Sequence, residues 1–182
     1  ELDEARGAIG RKPQAVVLSA PTGSGKTITV AAVIDWLVGG ADGVQARPQT
    51  TFLWLSDSPE LNLQSRDKLL GACDNIPFHR LVPIDSEKFR DRVLAPGHVY
   101  FINTQLLGKD KLLAKSCGDL RPFTFFDTVA ITIERSPQDF ILIIVEAHHG
   151  PGVPERSLTP IMQKFINGSP RDRLPPVPIG SG

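Results

Sequence analysis

The residues with the clearest chemical potential are the eight at positions 20–27, which read APTGSGKT. Glycines let the backbone curl so that successive N–H groups point at phosphate oxygens, and a helix that starts here adds its partial positive charge. A lysine at this place offers a mobile cation to the outer phosphates of a nucleotide, and the following threonine hydroxyl is a Mg²⁺ ligand. The alternative is a Gly/Ser turn that merely starts a helix, and the full octet argues against it. The segment predicts a nucleotide site at Pro21, Thr22, Gly23, Ser24, Gly25, Lys26 and Thr27, with Thr27 on Mg²⁺.

A second candidate segment is residues 140–149, which read FILIIVEAHH. A nucleotide hydrolase needs one carboxylate to hold Mg²⁺ through its water shell and a neighbouring one to orient the attacking water. Glu146 is a candidate for the second role, but Val145 stands where the first carboxylate is expected. A valine side chain has no lone pair, so it cannot bind the metal or its waters. His148 and His149 point to opposite faces if they continue the strand, so no zinc site is expected.

The elements around these segments alternate between strand and helix. Apolar runs predict strands at residues 15–19, 50–55, 81–84, 98–104 and 140–144. Helices are predicted at residues 26–38, 59–70, 105–115, 123–134 and 158–166, the second of them capped by Ser58 with Pro59 at its first position. This alternation predicts an α/β fold with a mostly parallel sheet and helices on both faces. Ligands bind such sheets at the carboxyl ends of the strands, where both candidate segments lie.

Length and composition narrow the class further. A chain of 182 residues with 41% hydrophobic and 22% charged residues fits one soluble globular domain. No run approaches the ~20 apolar residues that cross a bilayer, and no secretion signal is present, so a cytoplasmic protein without a membrane partner is expected. The 20 basic and 20 acidic residues balance, which argues against attachment to nucleic acid by bulk charge alone. Cys73 and Cys117 form no CxxC pair, so two reduced thiols are expected.

The two candidate segments together resemble motifs of superfamily 2 helicases of the DEAD/DEAH type, and within them of the restriction-type branch (type III restriction enzyme Res subunit). Residues 20–27 resemble motif I, with Ala20 in place of the usual glycine. Residues 145–148 resemble the Asp-Glu-Ala-His sequence of motif II, with valine in place of aspartate. The resemblance spans about residues 15–150, and its first motif is the most specific.

Two further segments are similar to motifs of the same family. Residues 58–64 are similar to motif Ia, whose Glu-Leu-x-x-Gln pattern matches Glu60, Leu61 and Gln64. Residues 103–106 resemble motif Ib through Thr104 and Gln105. An ordinary capped helix and an ordinary strand end explain these two segments equally well. The Ser-Ala-Thr motif that the family carries further along the chain is absent.

The resemblance implies a RecA-like P-loop NTPase domain, the first motor domain of a helicase, which uses ATP and Mg²⁺ to move on nucleic acid, DNA more than RNA. Lys26 and Thr27 would bind phosphate and Mg²⁺, Glu146 would act on the attacking water, and His148 would link the nucleotide state to the rest of the motor. The nucleic-acid side would be lined by Glu60, Gln64, Thr104 and Gln105. Because Val145 replaces the metal-binding aspartate, impaired hydrolysis is expected.

The expected domain organisation is a single RecA-like domain over residues 1–182, with a core at about 13–168 and a C-terminal loop at 170–182. The second RecA-like domain, which supplies arginine fingers in such motors, is expected to be missing from this chain. Two other functions stay open. One is a nucleotide-binding scaffold or switch that binds a protein partner without turnover, which Val145 favours. The other is a small-molecule phosphotransferase, against which motifs Ia and II argue.

Overall fold

The computed structural model describes residues 24–40, 43, 45–145 and 158–176. Its strands are β1 (Thr51–Ser56), β2 (Leu81–Pro83), β3 (Val99–Asn103) and β4 (Phe140–Val145). They form one sheet in the order β2, β3, β1, β4, and each neighbouring pair is parallel. The predicted α/β fold with a parallel sheet is confirmed. The strand predicted at residues 15–19 lies outside the described residues.

Helices cover both faces of this sheet, as predicted. One face carries α1 (Lys26–Gly39) and α2 (Pro59–Ala72), and the other carries α3 (Phe125–Arg135) and α4 (Pro160–Asn167). The Ser58 hydroxyl caps α2 by accepting a hydrogen bond from the Leu61 N–H at 3.2 Å, as the sequence predicts. Among the described helices, none is both long and apolar enough to cross a membrane.

Alternating side chains of β1 divide the core between these two faces. Phe52 and Trp54 pack with α1 and α2, whereas Leu53 and Leu55 pack with α3 and α4. Each fully buried side chain of this size contributes about 1.5–3 kcal/mol to folding. Trp54 is 0% exposed at the centre of the sheet, whereas Trp36 on the outer surface of α1 is 57% exposed. The continuous apolar strand is therefore buried on both sides, as parallel sheets require.

Polar contacts join the end of α1 to the starts of two strands, at what we call the amino edge of the sheet. The Arg47 guanidinium forms an ion pair of 2.8 Å with Asp139 and donates to the carbonyl of Gln138. Its backbone N–H donates to the carbonyl of Leu37 in α1 at 2.7 Å, and the N–H of Thr51 donates to the carbonyl of Asp139 at 2.7 Å. The last turns of α1 therefore lie where β1 and β4 begin.

The prediction of a helix at residues 105–115 is wrong. Short 3-10 turns occur instead at Thr104–Leu107 and Leu112–Ala114, separated by Gly108, whose ψ of 154° is extended rather than helical. The Arg121 side chain donates to the carbonyls of Leu112 and Lys115 and so ties this segment to the turn that follows it. Leu107 and Leu113 are both buried, although their spacing would place them on different sides of a helix. The segment follows its tertiary contacts rather than its local helical preference.

Candidate phosphate site at the carboxyl edge

The phosphate loop reaches the described residues at Ser24, and α1 begins two residues later at Lys26. Gly25 caps the helix with φ 85° and ψ 15°, the left-handed conformation that residues with a Cβ rarely adopt. Ser24 and Gly25 are exposed, while Lys26 and Thr27 are half-buried. Pro21, Thr22 and Gly23, also predicted to line the site, lie outside the described residues.

The residue at the cap position of α1 is Gly25, which has no side chain to offer to the first turn. No side-chain hydrogen bond closes it at Gly25, and none of its first-turn residues is acidic. The first N–H groups of a helix have no acceptor within the helix, and they concentrate its partial positive charge. By contrast, Ser58 caps α2, and Thr124 and Asp127 form a reciprocal capping box at α3. The N–H groups in the first turn of α1 are thus suited to donate hydrogen bonds to the oxygens of an anion.

Contacts at the other end of α1 show where this first turn lies. Asp35 accepts hydrogen bonds from the backbone and side-chain nitrogens of Asn75, at 2.7 and 3.0 Å, just beyond the end of α2. Because α2 starts directly after β1 and runs back along the sheet, α1 runs beside it in the same direction. A helix of 14 residues is about 21 Å long. The first turn of α1 therefore lies at the opposite edge of the sheet, which we call the carboxyl edge.

Three strands end together at this carboxyl edge. In the parallel register, Ser56 is opposite Asn103 of β3 on one side and opposite Val145 of β4 on the other. Ile141, Ile143 and Val145 pack against the cluster of α1 and α2, whereas the alternate residues of β4 pack on the other face. By the same alternation Ser56 and Asn103 face α1 and α2. The structure thus brings Val145 to the sheet face that carries the phosphate-loop helix.

Candidate Mg²⁺ ligands can be tested against this arrangement. Thr27 is half-buried in the first turn of α1, which suits a hydroxyl ligand beside a bound phosphate. Val145 stands where the aspartate is expected, and its apolar side chain packs against the core. The described residues therefore fit the nucleotide phosphates better than they fit the metal. Glu146 and His148 lie outside the described residues.

The residues assigned to motifs Ia and Ib differ in their exposure. Glu60 and Gln64 are exposed on α2, one helical turn apart. Thr104 is buried with 7% exposure, so its side chain is not free to meet a ligand. Gln105 is exposed, and its side-chain Nε2 donates to the backbone carbonyl of Asp57 at 3.2 Å. This bond ties the segment after β3 to the loop after β1.

Three polar residues at the carboxyl edge were not predicted as candidate site residues. The Ser56 hydroxyl donates to the carbonyl of Ser58 at 2.8 Å. The Oδ1 atoms of Asp57 and Asn103 are buried and have no hydrogen-bond partner in the part of the chain that the structure describes. Each of the three stands at or just after the end of an apolar strand. A polar residue that closes a predicted parallel strand is the sequence signal that would have found them.

Parallel strands, with a glycine-capped helix start at their carboxyl edge, define the architecture of a P-loop nucleotide-binding protein. The sequence matches the family model "Type III restriction enzyme, res subunit" over residues 2–168. That span covers most of the chain, so the chain belongs to this family and is an N-terminal RecA-like motor domain of the superfamily 2 helicase ATPases. No match was found among curated proteins or among solved structures.

The backbone at Gly25 gives a prediction about stability. Gly25→Ala is expected to destabilise the domain by about 1–2 kcal/mol, because φ of 85° is unfavourable for alanine even though no atom lies within 4 Å of the added Cβ. The matched control is Gly71→Ala in α2, where the added Cβ also meets nothing within 4 Å. An alanine inside a helix stabilises by roughly 0.5–1 kcal/mol, so the two substitutions should have opposite signs in urea denaturation. Equal effects would contradict the left-handed cap.

Proposed function

We propose that this domain binds ATP as the first motor domain of a helicase- or translocase-like ATPase acting on nucleic acid, DNA rather than RNA, and that Val145 impairs its hydrolysis. The observation that carries the proposal is the start of α1 at the carboxyl edge, preceded by the left-handed Gly25 and flanked by Val145 on the same face of the sheet. The family assignment supports the use of ATP and Mg²⁺ by such domains.

Nucleotide binding rests on the residues of the phosphate loop. The first N–H groups of α1 would donate to phosphate oxygens, and the Lys26 ammonium would neutralise their charge. The preceding Pro21, Thr22, Gly23 and Ser24 would continue this cradle upstream. Thr27 would contact the Mg²⁺ that accompanies the triphosphate. When bound, that ion screens the phosphate charge, and the Thr27 hydroxyl would supply a neutral oxygen to it.

Impaired turnover follows from the chemistry of β4. Glu146 comes directly after this strand and would orient the attacking water, and His148 would transmit the nucleotide state to the rest of the motor. Val145 provides no carboxylate to organise the metal's water shell, so the water and the metal would not be held together. A domain of this composition binds nucleotide more readily than it hydrolyses it. Arginine fingers would come from a second RecA-like domain.

The nucleic-acid side of the motor would be the loops that follow β1 and β3. Glu60 and Gln64 are exposed on α2, and the Gln105 side chain bridges to the carbonyl of Asp57. Backbone amides and short polar side chains contact nucleic-acid phosphates without a large net charge. Thr104, which is buried, would support this surface rather than contact the strand directly. Binding by this domain alone would then be weak, because few contacts are charged.

A second candidate function is a nucleotide-dependent scaffold or switch that binds a protein partner. Val145 favours it, because a domain without the metal-binding carboxylate can bind nucleotide without consuming it. One measurement distinguishes the two functions. It is the rate of ATP turnover after nucleic acid and a second RecA-like domain have been added. A helicase-type motor gains turnover under those conditions, and a scaffold does not.

The nucleotide site is tested by Lys26→Ala. Loss of a charge-assisted contact of roughly 1.5–3 kcal/mol should weaken ATP and ADP binding by about 10- to 150-fold. Isothermal titration calorimetry measures both affinities. Lys68→Ala is the control, since Lys68 is exposed in the second half of α2, which runs away from the carboxyl edge. Unchanged affinity in the Lys26 variant would refute the phosphate-loop assignment.

The metal position is tested by Val145→Asp. A carboxylate at the end of β4 should strengthen Mg²⁺-dependent ATP binding by about 1–3 kcal/mol, because the attraction of the bound cation outweighs the cost of desolvating the carboxylate. Val145→Asn is the matched control, because asparagine has nearly the same shape as aspartate but no charge. Its gain in Mg²⁺-dependent affinity should be much smaller. Affinities are measured with Mg²⁺ and with a chelator. If the aspartate leaves the Mg²⁺ dependence unchanged, residue 145 is not the metal position.

Nucleic-acid binding is tested by fluorescence anisotropy with short DNA and RNA strands. Binding should be weak and should fall modestly between about 50 and 200 mM salt, because the few charged phosphate contacts release few counterions. Gln105→Ala should weaken it roughly 5- to 10-fold through loss of about one hydrogen bond. Gln49→Ala, an exposed glutamine at the amino edge, should have no effect. Tight binding that ignores salt would show that this surface is misassigned, and preference for RNA would overturn the choice of DNA.

A further inference from the structure

Three buried side-chain oxygens near the carboxyl edge have no hydrogen-bond partner. They are the Oδ1 atoms of Asp57 in the loop after β1, of Asn62 near the start of α2, and of Asn103 at the end of β3. In the part of the chain that the structure describes, these are all the buried carboxylate and amide oxygens without a partner. A buried acceptor without a partner is costly, so three of them at one edge of the sheet point to a bound group.

Two of these residues face the same space between α2 and the sheet. Asn62 is 8% exposed and lies on the buried stripe of α2, which continues through Ser65 and Leu69. Leu69 packs against the sheet two helical turns after Asn62, so Asn62 faces the sheet as well, closer to the carboxyl edge. Asn103 is 6% exposed and lies on the same face of β3 as Phe101, which also packs against α2. Both amides are therefore directed inward from opposite sides.

The third residue brings a negative charge to this place. Ser56, which precedes Asp57, lies opposite Asn103 in the parallel register, and the Gln105 side chain donates to the Asp57 carbonyl at 3.2 Å. None of the ion pairs among the described residues includes Asp57, which is half-buried. Glu60, exposed in the first turn of α2, adds further negative charge. A partly buried carboxylate without a basic partner favours a cation beside it.

We propose that Asp57, Asn62 and Asn103 form a binding site for a hard divalent cation, separate from the Mg²⁺ that would accompany a nucleotide. Carboxylate and amide oxygens are the ligands that Mg²⁺ and Ca²⁺ prefer, and water completes their coordination. Two of the three ligands are amides, so this site differs from clusters of three or more His, Cys, Asp and Glu side chains, of which the described residues hold none. Because only one ligand is charged, the affinity is weak, roughly millimolar.

The cation joins three elements at the carboxyl edge, namely the loop after β1, the start of α2 and the end of β3. It also offsets the charge of Asp57 on the side of the domain where nucleic-acid binding is proposed. Binding of the ion needs neither nucleotide nor nucleic acid. The site therefore stands or falls independently of the proposed function.

Thermal unfolding of the nucleotide-free protein tests the site. With about 10 mM Mg²⁺ or Ca²⁺, Tm should rise by roughly 3–5 °C above that in tetramethylammonium chloride of the same ionic strength, because the cation binds the folded state. Asp57→Asn should abolish this rise. Asp67→Asn, the same change at an exposed carboxylate of α2, should keep it. No rise in the wild type, or a full rise in the Asp57 variant, would overturn the proposal.

A variant that gains affinity keeps the test decisive if Asp57→Asn fails to fold. Asn103→Asp adds a second carboxylate of nearly the same shape, so the same rise in Tm should need about one tenth of the cation concentration. Thr27→Val removes the hydroxyl expected to contact nucleotide-bound Mg²⁺ and should leave the response unchanged. An Asn103→Asp protein that responds like the wild type would contradict the site. Loss of the response in Thr27→Val would assign it to the nucleotide site instead.

Terbium luminescence locates the bound ion. Tb³⁺ replaces Ca²⁺ at oxygen sites and emits when an excited indole lies close to it. Trp54 lies two residues before Ser56 and packs with α2, whereas Trp36 lies in the last turns of α1. In Trp36→Phe, which leaves Trp54 as the only tryptophan, we expect luminescence that Ca²⁺ or Mg²⁺ reduces and that Asp57→Asn removes. Absence of this signal, alongside a Tm that depends on the cation, would place the ion elsewhere and overturn the assignment.

Discussion

Parallel pairing of β1 with β3 on one side and with β4 on the other is the constraint on which the rest of the structure depends. The register places the last residues of the three strands side by side, and the alternation of side chains turns all three toward α1 and α2. A shift of one residue in β4 would turn Val145 away from the phosphate-loop helix and would bury the wrong face of the strand. The composition of the carboxyl edge is thus decided by the same pairing that buries the core.

The position of α1 depends on packing in its middle and on polar contacts at its end. Ala31, Ile34, Leu37 and Val38 are buried against the sheet, and their burial provides most of the free energy that holds the helix. The exposed hydrogen bonds that Asn75 donates to Asp35 each contribute little, as is usual for surface contacts. These bonds do fix the position of α1 along its own axis. The first turn lies at the other end, with Gly25 rather than a side-chain cap before it.

The sequence predicted those elements whose signals are local. Apolar runs located β1, β3 and β4, and the serine and proline at positions 58 and 59 located the start of α2. The family resemblance was confirmed over residues 2–168. The helix expected at residues 105–115 failed because Leu107 and Leu113 are both buried, although one continuous helix would place them on different sides. The ion pair between Arg47 and Asp139 joins residues 92 apart in sequence, and no local sequence pattern predicts it. Strand pairing is what brings Ser56, Asp57 and Asn103 to one edge of the sheet, so no local pattern alone marks them as one candidate site.

The two tryptophans of the chain lie in environments that an optical measurement can separate. Trp54 is enclosed in the middle of the sheet, with a tilted contact to Phe101 at 5.9 Å between ring centroids, whereas Trp36 faces solvent on α1. Indole emission shifts to longer wavelength as water gains access to the ring. The native spectrum therefore combines a short-wavelength component from the sheet with a long-wavelength component from the surface of α1. Loss of the first component reports melting of the core, and changes confined to the second report events on the helix that follows the phosphate loop.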